Sequence, residues 1–299
     1  MDPDEERPRY RIAEVSTRLG IPIPTIRSWE RRYGFPRPGR TQGRHRRYSE
    51  REVRELRELR DMIALGHTAR EAVALVRRSA ARVPEHVPEL RAFLRAVASY
   101  DPIRAREALN AAAERLGVET AIRDVALTAM REIGSRWEVG ACDVAEEHLA
   151  TDTVRTWLAR LRTFTPPPRR GPVVLACAPK DAHSIGLEGF GAILARAGWD
   201  VRILGANTPV GALLGAVRAT GAPGAVVTAQ RRANRRSAVE VLRALDAVPG
   251  VTPFYGGAAF SPPAARRGVP GIYLGDDIVE AATELQRALG ARPRAVAPR

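Results

Sequence analysis

The sequence predicts a multidomain protein: an α winged helix-turn-helix head, a four-helix bundle and an α/β layer of Rossmann-like type. Three observations carry this. Two short amphipathic repeats precede a stretch rich in Gly, Pro and Arg, a series of helix caps follows a pair of prolines, and the last third alternates strand with helix. The length of 299 residues exceeds the ~100–200 of one domain. The boundaries are expected at 1–80 for the head, 85–165 for the bundle, 170–290 for the α/β layer and 291–299 for a tail. Pro84 and Pro88 mark the first linker, and PPPRR at 166–170 is a stiff second one.

Charge is unevenly distributed, with 48 basic residues against 34 acidic ones and Lys180 the single lysine. Residues 1–80 carry 19 basic and 12 acidic groups and residues 81–165 carry 12 and 13, so the head is basic and the bundle neutral. Residues 166–299 hold 17 and 9, so basicity alone does not single out the head. Cys142 and Cys177 are too few for a disulfide framework. No stretch reaches the ~18 apolar residues of a membrane span, and the N-terminus lacks an apolar signal core. The expectation is a soluble cytoplasmic protein without membrane partners.

In the head, Ile12, Val15 and Leu19 form one apolar stripe ended by Gly20. A second helix has Pro24 in its first turn, runs through Tyr33 and stops at Gly34. Two short helices so joined form a helix-turn-helix, whose second helix enters a major groove and turns Arg27, Arg31 and Arg32 to nucleic acid. FPRPGRTQGRHRRYS is too polar for core and too punctuated for helix, which suits a two-stranded wing. Residues 27–47 hold eight Arg and one acid, Glu30, the local field expected where phosphates are neutralised. Ser49 with Glu52, and Thr68 with Glu71, read as capping boxes opening two further helices.

The run LGIPIPTIRSWERRYGFPRPGRTQGRHRRYSEREVRELRELRDM, with its recognition segment and G-x-R-R-Y-S wing exit, resembles the MerR family over about residues 10–79. The resemblance implies a MerR-type head on double-stranded operator DNA. Its expected DNA contacts are Thr25, Arg27, Trp29, Arg31 and Arg32 on the helix, and Arg40, Arg44, His45, Arg46, Arg47 and Tyr48 in the wing.

In the bundle, Asp101 caps a helix with Pro102 at its first position that ends at Gly117, and Val118 to Trp137 reads as another. Asp143 and Glu146 open a last helix through Val154, Trp157, Leu158 and Leu161, and Leu90 to Ala98 completes about four helices. Taken alone, Trp137 and His148 are ordinary interior residues. Beyond the second linker, PVVLACA, DVRIL, AVVTA, TPFYG and GIYL alternate with helices, as in a parallel sheet covered on both faces. Ligands of such sheets bind at the carboxyl ends of the strands.

The first such end carries Asp181-Ala182-His183-Ser184-Ile185-Gly186. This D-x-H-x-x-G resembles the signature of the cobalamin (vitamin B12) binding domain. A neutral imidazole can replace the cofactor's own base below cobalt, a carboxylate two residues away fixes its tautomer, and Gly lets the nucleotide tail pass. His183 is the expected metal ligand and Asp181 its support, with Ser184, Ile185, Gly186, Thr228, Gly256 and Gly257 also at the cofactor. Thr228 stands where the family usually has Ser. The basic stretch QRRANRRS at 230–237 departs from the pattern, as a deformed pocket wall or a surface for DNA or a partner.

MerR head, helical cap with Trp137, Glu147 and His148, then cobalamin domain: this order resembles the CarH/LitR family along nearly the whole chain. The resemblance implies a photoreceptor repressor, not an enzyme. Its adenosylcobalamin sits between cap and Rossmann-like domain, and the homo-oligomer, a tetramer, holds operator DNA until light breaks the Co–C bond. Light-sensing members carry a second His directly after the cap Trp; here that residue is Glu138. Two rivals remain: a regulator that senses cobalamin or another ligand without photochemistry, and a corrinoid methyltransfer protein. The DNA head weighs against the second.

Overall fold

The computed structural model describes residues 7–40, 46–64, 66–81, 87–138 and 142–290. The chain divides into two compact units, Met1–Val87 and Pro88–Arg299. No helix among the described residues is long and apolar enough to cross a membrane.

The first unit begins with α1 (Ile12–Leu19) and α2 (Ile23–Tyr33), each ended by a left-handed glycine, Gly20 at φ 65° and Gly34 at φ 60°. Glycine adopts that conformation without a Cβ penalty, so both stops are local consequences of sequence. A short wing pairs β1 (Gly39–Arg40) antiparallel with β2 (Arg46–Arg47), Gly39 opposite Arg47 and Arg40 opposite Arg46. Both expected capping boxes form. The Ser49 amide donates to Glu52 Oε2 at 2.8 Å and opens α3 (Glu50–Ala64). The Thr68 amide donates to Glu71 Oε2 at 2.9 Å and opens α4 (Ala69–Ala81). Val15, Leu19, Ile26, Val53, Leu56, Leu59, Val73 and Val76 close the core, and full burial of each such side chain contributes ~1.5–3 kcal/mol.

The second unit opens with α5 (Val87–Ala98) and α6 (Pro102–Leu116). Asp101 caps α6 by accepting from the Arg104 amide at 2.9 Å. The next helix is not the uniform one its spacing predicts. After α7 (Val118–Thr120) the backbone widens into a π-helical stretch, Ala121–Ala126, and resumes as α8 (Leu127–Glu138). Ala121, Ile122, Val125 and Ala126 are fully buried there, so core packing overrides regular periodicity. Asp143 accepts from the Glu146 amide at 2.7 Å and opens α9 (Val144–Thr163), whose Val154, Trp157 and Leu158 are buried.

The α/β layer follows as β3 (Arg170–Cys177), α10 (Ile185–Arg196), β4 (Trp199–Gly205), α11 (Val210–Thr220), β5 (Gly224–Thr228), α12 (Arg235–Asp246), β6 (Thr252–Gly256), β7 (Ile272–Tyr273) and α13 (Ile278–Gly290). All strands are parallel, in the order β4-β3-β5-β6-β7. Alternation sorts their side chains. Val173, Leu175, Cys177, Val226 and Phe254 join a cluster that includes α10, α13 and the helical bundle, whereas Val174, Ala176, Val227 and Tyr255 join one with α11 and α12. The bundle therefore seats on the α10 side. At Gly189 of α10 an added Cβ would lie 3.0 Å from Ile122 Cγ2 of the π-helical stretch, so glycine lets the two helices approach closely there.

Candidate functional site

The strand order reverses direction at β3, whose neighbours are β4 and β5, and in such sheets the crevice beyond the carboxyl ends of the reversing strands is the ligand position. The loop after β3 carries Asp181 and His183; β5 ends at Thr228. Asp181 is 1% exposed and held from several sides. Its Oδ1 accepts from the His183 amide at 3.0 Å and lies 2.8 Å from His183 Nδ1, and its Oδ2 accepts from the Gln230 amide at 2.6 Å. The Asn207 amide donates to the Asp181 carbonyl at 2.8 Å, and Asn207 Oδ1 accepts from the Lys180 amide at 2.7 Å. Loops after β3, β4 and β5 thus converge on one residue, the β3 and β5 loops on its carboxylate and the β4 loop on its backbone carbonyl. A carboxylate only accepts, so Nδ1 carries the proton of that bond, and in the neutral ring Nε2 is the bare nitrogen. The His183 side chain is half-exposed while its anchor is buried.

The backbone around this pair leaves room. An added Cβ at Gly256 would meet nothing within 4 Å, and at Gly186 only Gln230 Nε2 at 3.8 Å. Gly257 has the opposite role: at φ 96° its Cβ would lie 2.4 Å from the Ala229 carbonyl oxygen, so only glycine allows β5's exit and β6's exit to close on each other. Thr228 Oγ1 donates to Cys177 Sγ at 3.5 Å, and the thiol faces the His183 carbonyl oxygen at 3.7 Å. Burial pushes the Cys177 thiol up to about 11, which keeps it protonated and poor as a metal ligand at neutral pH. A rigid imidazole, a supporting carboxylate and glycine-floored space beside them match what a corrinoid requires. Ser184 departs from expectation: it is buried, and its hydroxyl donates to Glu188 Oε1 at 2.7 Å rather than being free for a cofactor. Ile185 is half-buried at the start of α10.

On the cap, neither residue belongs to the interior. Trp137 is 47% exposed near the end of α8. His148, in the first turns of α9, has its side chain 74% exposed, with Nδ1 2.6 Å from Glu147 Oε2. Glu147 Oε1 also accepts from Thr151 Oγ1 at 2.8 Å. Cys142 is buried and its thiol pushed up to about 11, by burial first and by Glu146 second. The side chain of Glu138 lies outside the described residues.

In the first unit, Arg27, Arg31 and Arg32 are exposed on α2, and Thr25 is half-buried at its start. Three expected DNA contacts need correction. Trp29 is 9% exposed and Tyr48 fully buried, because a core this small takes in its largest aromatic groups. Burial pushes the Tyr48 hydroxyl up to about 12. Arg46 is not a free cation; its Nε pairs with Glu30 Oε2 at 2.7 Å and ties the wing to α2. Arg47 is half-buried in β2. The Arg40 side chain, Arg44 and His45 lie outside the described residues. Sequence reasoning also missed Arg77, whose Nη2 donates to the Tyr33 and Gly34 carbonyls at 2.9 and 3.2 Å and so pins the end of α2 to α4.

The MerR HTH family regulatory protein model matches residues 10–79, and two B12 binding domain models match 89–162 and 171–285. The chain is 37% identical over 210 residues to the HTH-type transcriptional repressor CarA of Myxococcus xanthus, covering 69% of this chain and 71% of that protein. It is 32% identical over 214 residues to CarH of the same organism, covering 67% and 72%. Among solved structures, the Methanosarcina barkeri monomethylamine corrinoid protein superposes with a TM-score of 0.51 at 15% identity, over 66% of this chain and 96% of that one, a likeness of fold alone. The chain therefore belongs to the CarA/CarH family of HTH-type transcriptional repressors, as a DNA-binding and cobalamin-binding transcription regulator rather than an enzyme.

Proposed function

We propose that this regulator is an adenosylcobalamin-dependent, light-responsive repressor that holds operator DNA as a homo-oligomer, a tetramer in the cofactor-bound dark state, and lets it go on illumination. The observation that carries the reading is the His183–Asp181 pair, buried at its carboxylate and open at its imidazole, at the strand ends where the sheet order reverses. His183 would ligate the cobalt of bound cobalamin, Asp181 would set its tautomer and orientation, and Gly186, Gly256 and Gly257 would shape the floor. Adenosylcobalamin supplies a cobalt–carbon bond that visible light cleaves. Trp137, Glu147 and His148 would offer an exposed aromatic face and polar groups to the bound cofactor. Exposed Arg27, Arg31 and Arg32 neutralise phosphates, and oligomerisation lets several small heads bind at once.

Gel filtration of the full chain with adenosylcobalamin, in the dark and after green light, tests this. The expected result is a large assembly in the dark that dissociates on illumination; an elution volume indifferent to cofactor and light overturns it. Glu138 favours a second reading, in which the chain binds cobalamin without a lasting light-adapted form. A carboxylate is a weaker partner for cobalt than imidazole, and a Cys142 thiol held neutral near pH 7 does not replace it. The illuminated wild type is then expected to lose cofactor readily, and Glu138→His to retain it through a second column; equal retention by the two removes the role of position 138.

A further inference from the structure

Ser184 stands directly after His183 and precedes the first residue of α10. A serine in that position ordinarily accepts a hydrogen bond from its own helix. This one makes no such bond. Its hydroxyl donates to Glu188 Oε1 at 2.7 Å, while the Glu188 amide donates to the Ser184 carbonyl at 2.8 Å, so the two residues are bonded twice. The same Oε1 accepts from Arg155 Nε, on α9 of the cap, at 3.3 Å. Glu188 is 8% exposed, and a carboxylate so buried is costly unless paired.

The cap side of this joint is equally specific. His148, Arg155 and Arg162 are spaced by seven residues, which places them along one face of α9. Arg155 is therefore ~10 Å along the axis from His148, two helical turns. Arg162, the next residue of that face, has a buried Nη1 with no hydrogen-bond partner among the described residues; burial lowers its guanidinium pKa, and the charge of Glu188 opposes that shift. Helix α9 packs against α10.

We propose that Glu188 is a positioning residue that joins the His183 loop, through Ser184, to Arg155 and hence to the cap helix carrying Glu147 and His148. The proposal rests on the reading of His183 as the lower cobalamin ligand. Its content is a coupling: displacement of the His183 loop shifts Ser184, Glu188 and then α9, and a shift of α9 changes how His183 is presented. A staple that merely holds cap to sheet would stabilise the unit without distinguishing whether His183 is present.

The test uses the full chain, with Arg155→Ala, Arg155→Lys, Glu188→Gln and Ser184→Ala, each alone and combined with His183→Ala. Cobalamin affinity and the axial-histidine absorption spectrum are read alongside thermal unfolding. Glu188→Gln keeps an acceptor for Ser184 and loses the charge for Arg155, which separates the two halves of the joint. With His183 present, Arg155→Ala and Glu188→Gln are expected to weaken affinity ~3–10-fold and reduce the histidine-ligated fraction, with partial rescue by Arg155→Lys; in the His183→Ala background these losses are expected to vanish. Equal losses with and without His183 overturn the proposal. Wild-type affinity and spectrum in His183→Ala alone overturn the ligand reading itself, and the proposal with it. If Glu188→Gln unfolds the protein, the half-exposed Arg155 carries the test alone.

Discussion

Two histidine–carboxylate pairs in the second unit have similar local geometry and opposite settings. His183 Nδ1 lies 2.8 Å from Asp181, and His148 Nδ1 lies 2.6 Å from Glu147. Asp181 is buried and receives further bonds from Gln230 and from Asn207 through its backbone, loops that the fold brings in from other strands. Glu147 is its histidine's neighbour on a helix, half-exposed, with one further donor from Thr151 four residues along. The first pair is held by tertiary structure and pre-organised; among the described residues the second is held by its own helix alone and can rearrange. On the proposed function, the first setting suits a ligand that stays in place and the second a group that yields when the cofactor changes.

Breaking the held pair is expected to have the largest effect. Removal of a histidine's outer carboxylate typically costs ~10–100-fold in metal affinity. Asp181→Ala is expected to fall in that range, and His183→Ala to weaken cobalamin binding further, as measured by absorption titration. If Asp181→Ala costs less than about threefold, burial and convergence do not matter to the pair. Gly257→Ala comes next: φ 96° with ψ 160° is a backbone region essentially restricted to glycine, at ~1–3 kcal/mol for a residue with a Cβ, and the 2.4 Å approach to Ala229 adds to it. Lowered thermal stability and weaker cofactor binding should appear together, since Gln230, which holds Asp181, follows Ala229 directly.

His148→Ala is expected to be much milder, about fivefold or less in affinity, since an exposed contact of this kind contributes ~1 kcal/mol at most. A loss matching that of His183→Ala would erase the distinction between the pairs. The contrast between held and free groups extends to the head, where the smallest effects are expected. Arg31 is exposed on α2 with no ion pair among the described residues, whereas Arg46 is paired with Glu30. Arg31→Ala should reduce the salt slope of DNA binding by about 0.9 and Arg46→Ala by clearly less, because a paired guanidinium releases fewer counterions. Equal reductions would show that the Glu30 pair opens on DNA.

Much of this was legible in the chain itself. The caps at Ser49, Thr68, Asp101 and Asp143 and the helix stops at Gly20 and Gly34 are where the sequence places them, since each needs partners only three to five residues away. The alternation of strand with helix, the D-x-H-x-x-G loop and the Arg-rich second helix were legible for the same reason: an apolar run or a short motif is written locally. Tertiary structure decided the rest. It put Trp29 and Tyr48 inside the head, paired Arg46 with Glu30 sixteen residues away, and widened the helix at Ala121–Ala126. It also brought Gln230 to Asp181 across 49 residues and Arg155 to Glu188 across 33. Those pairings depend on which loops share a sheet end and which helix faces meet, and buried charge and core volume select among many locally equivalent partners only once the chain has packed.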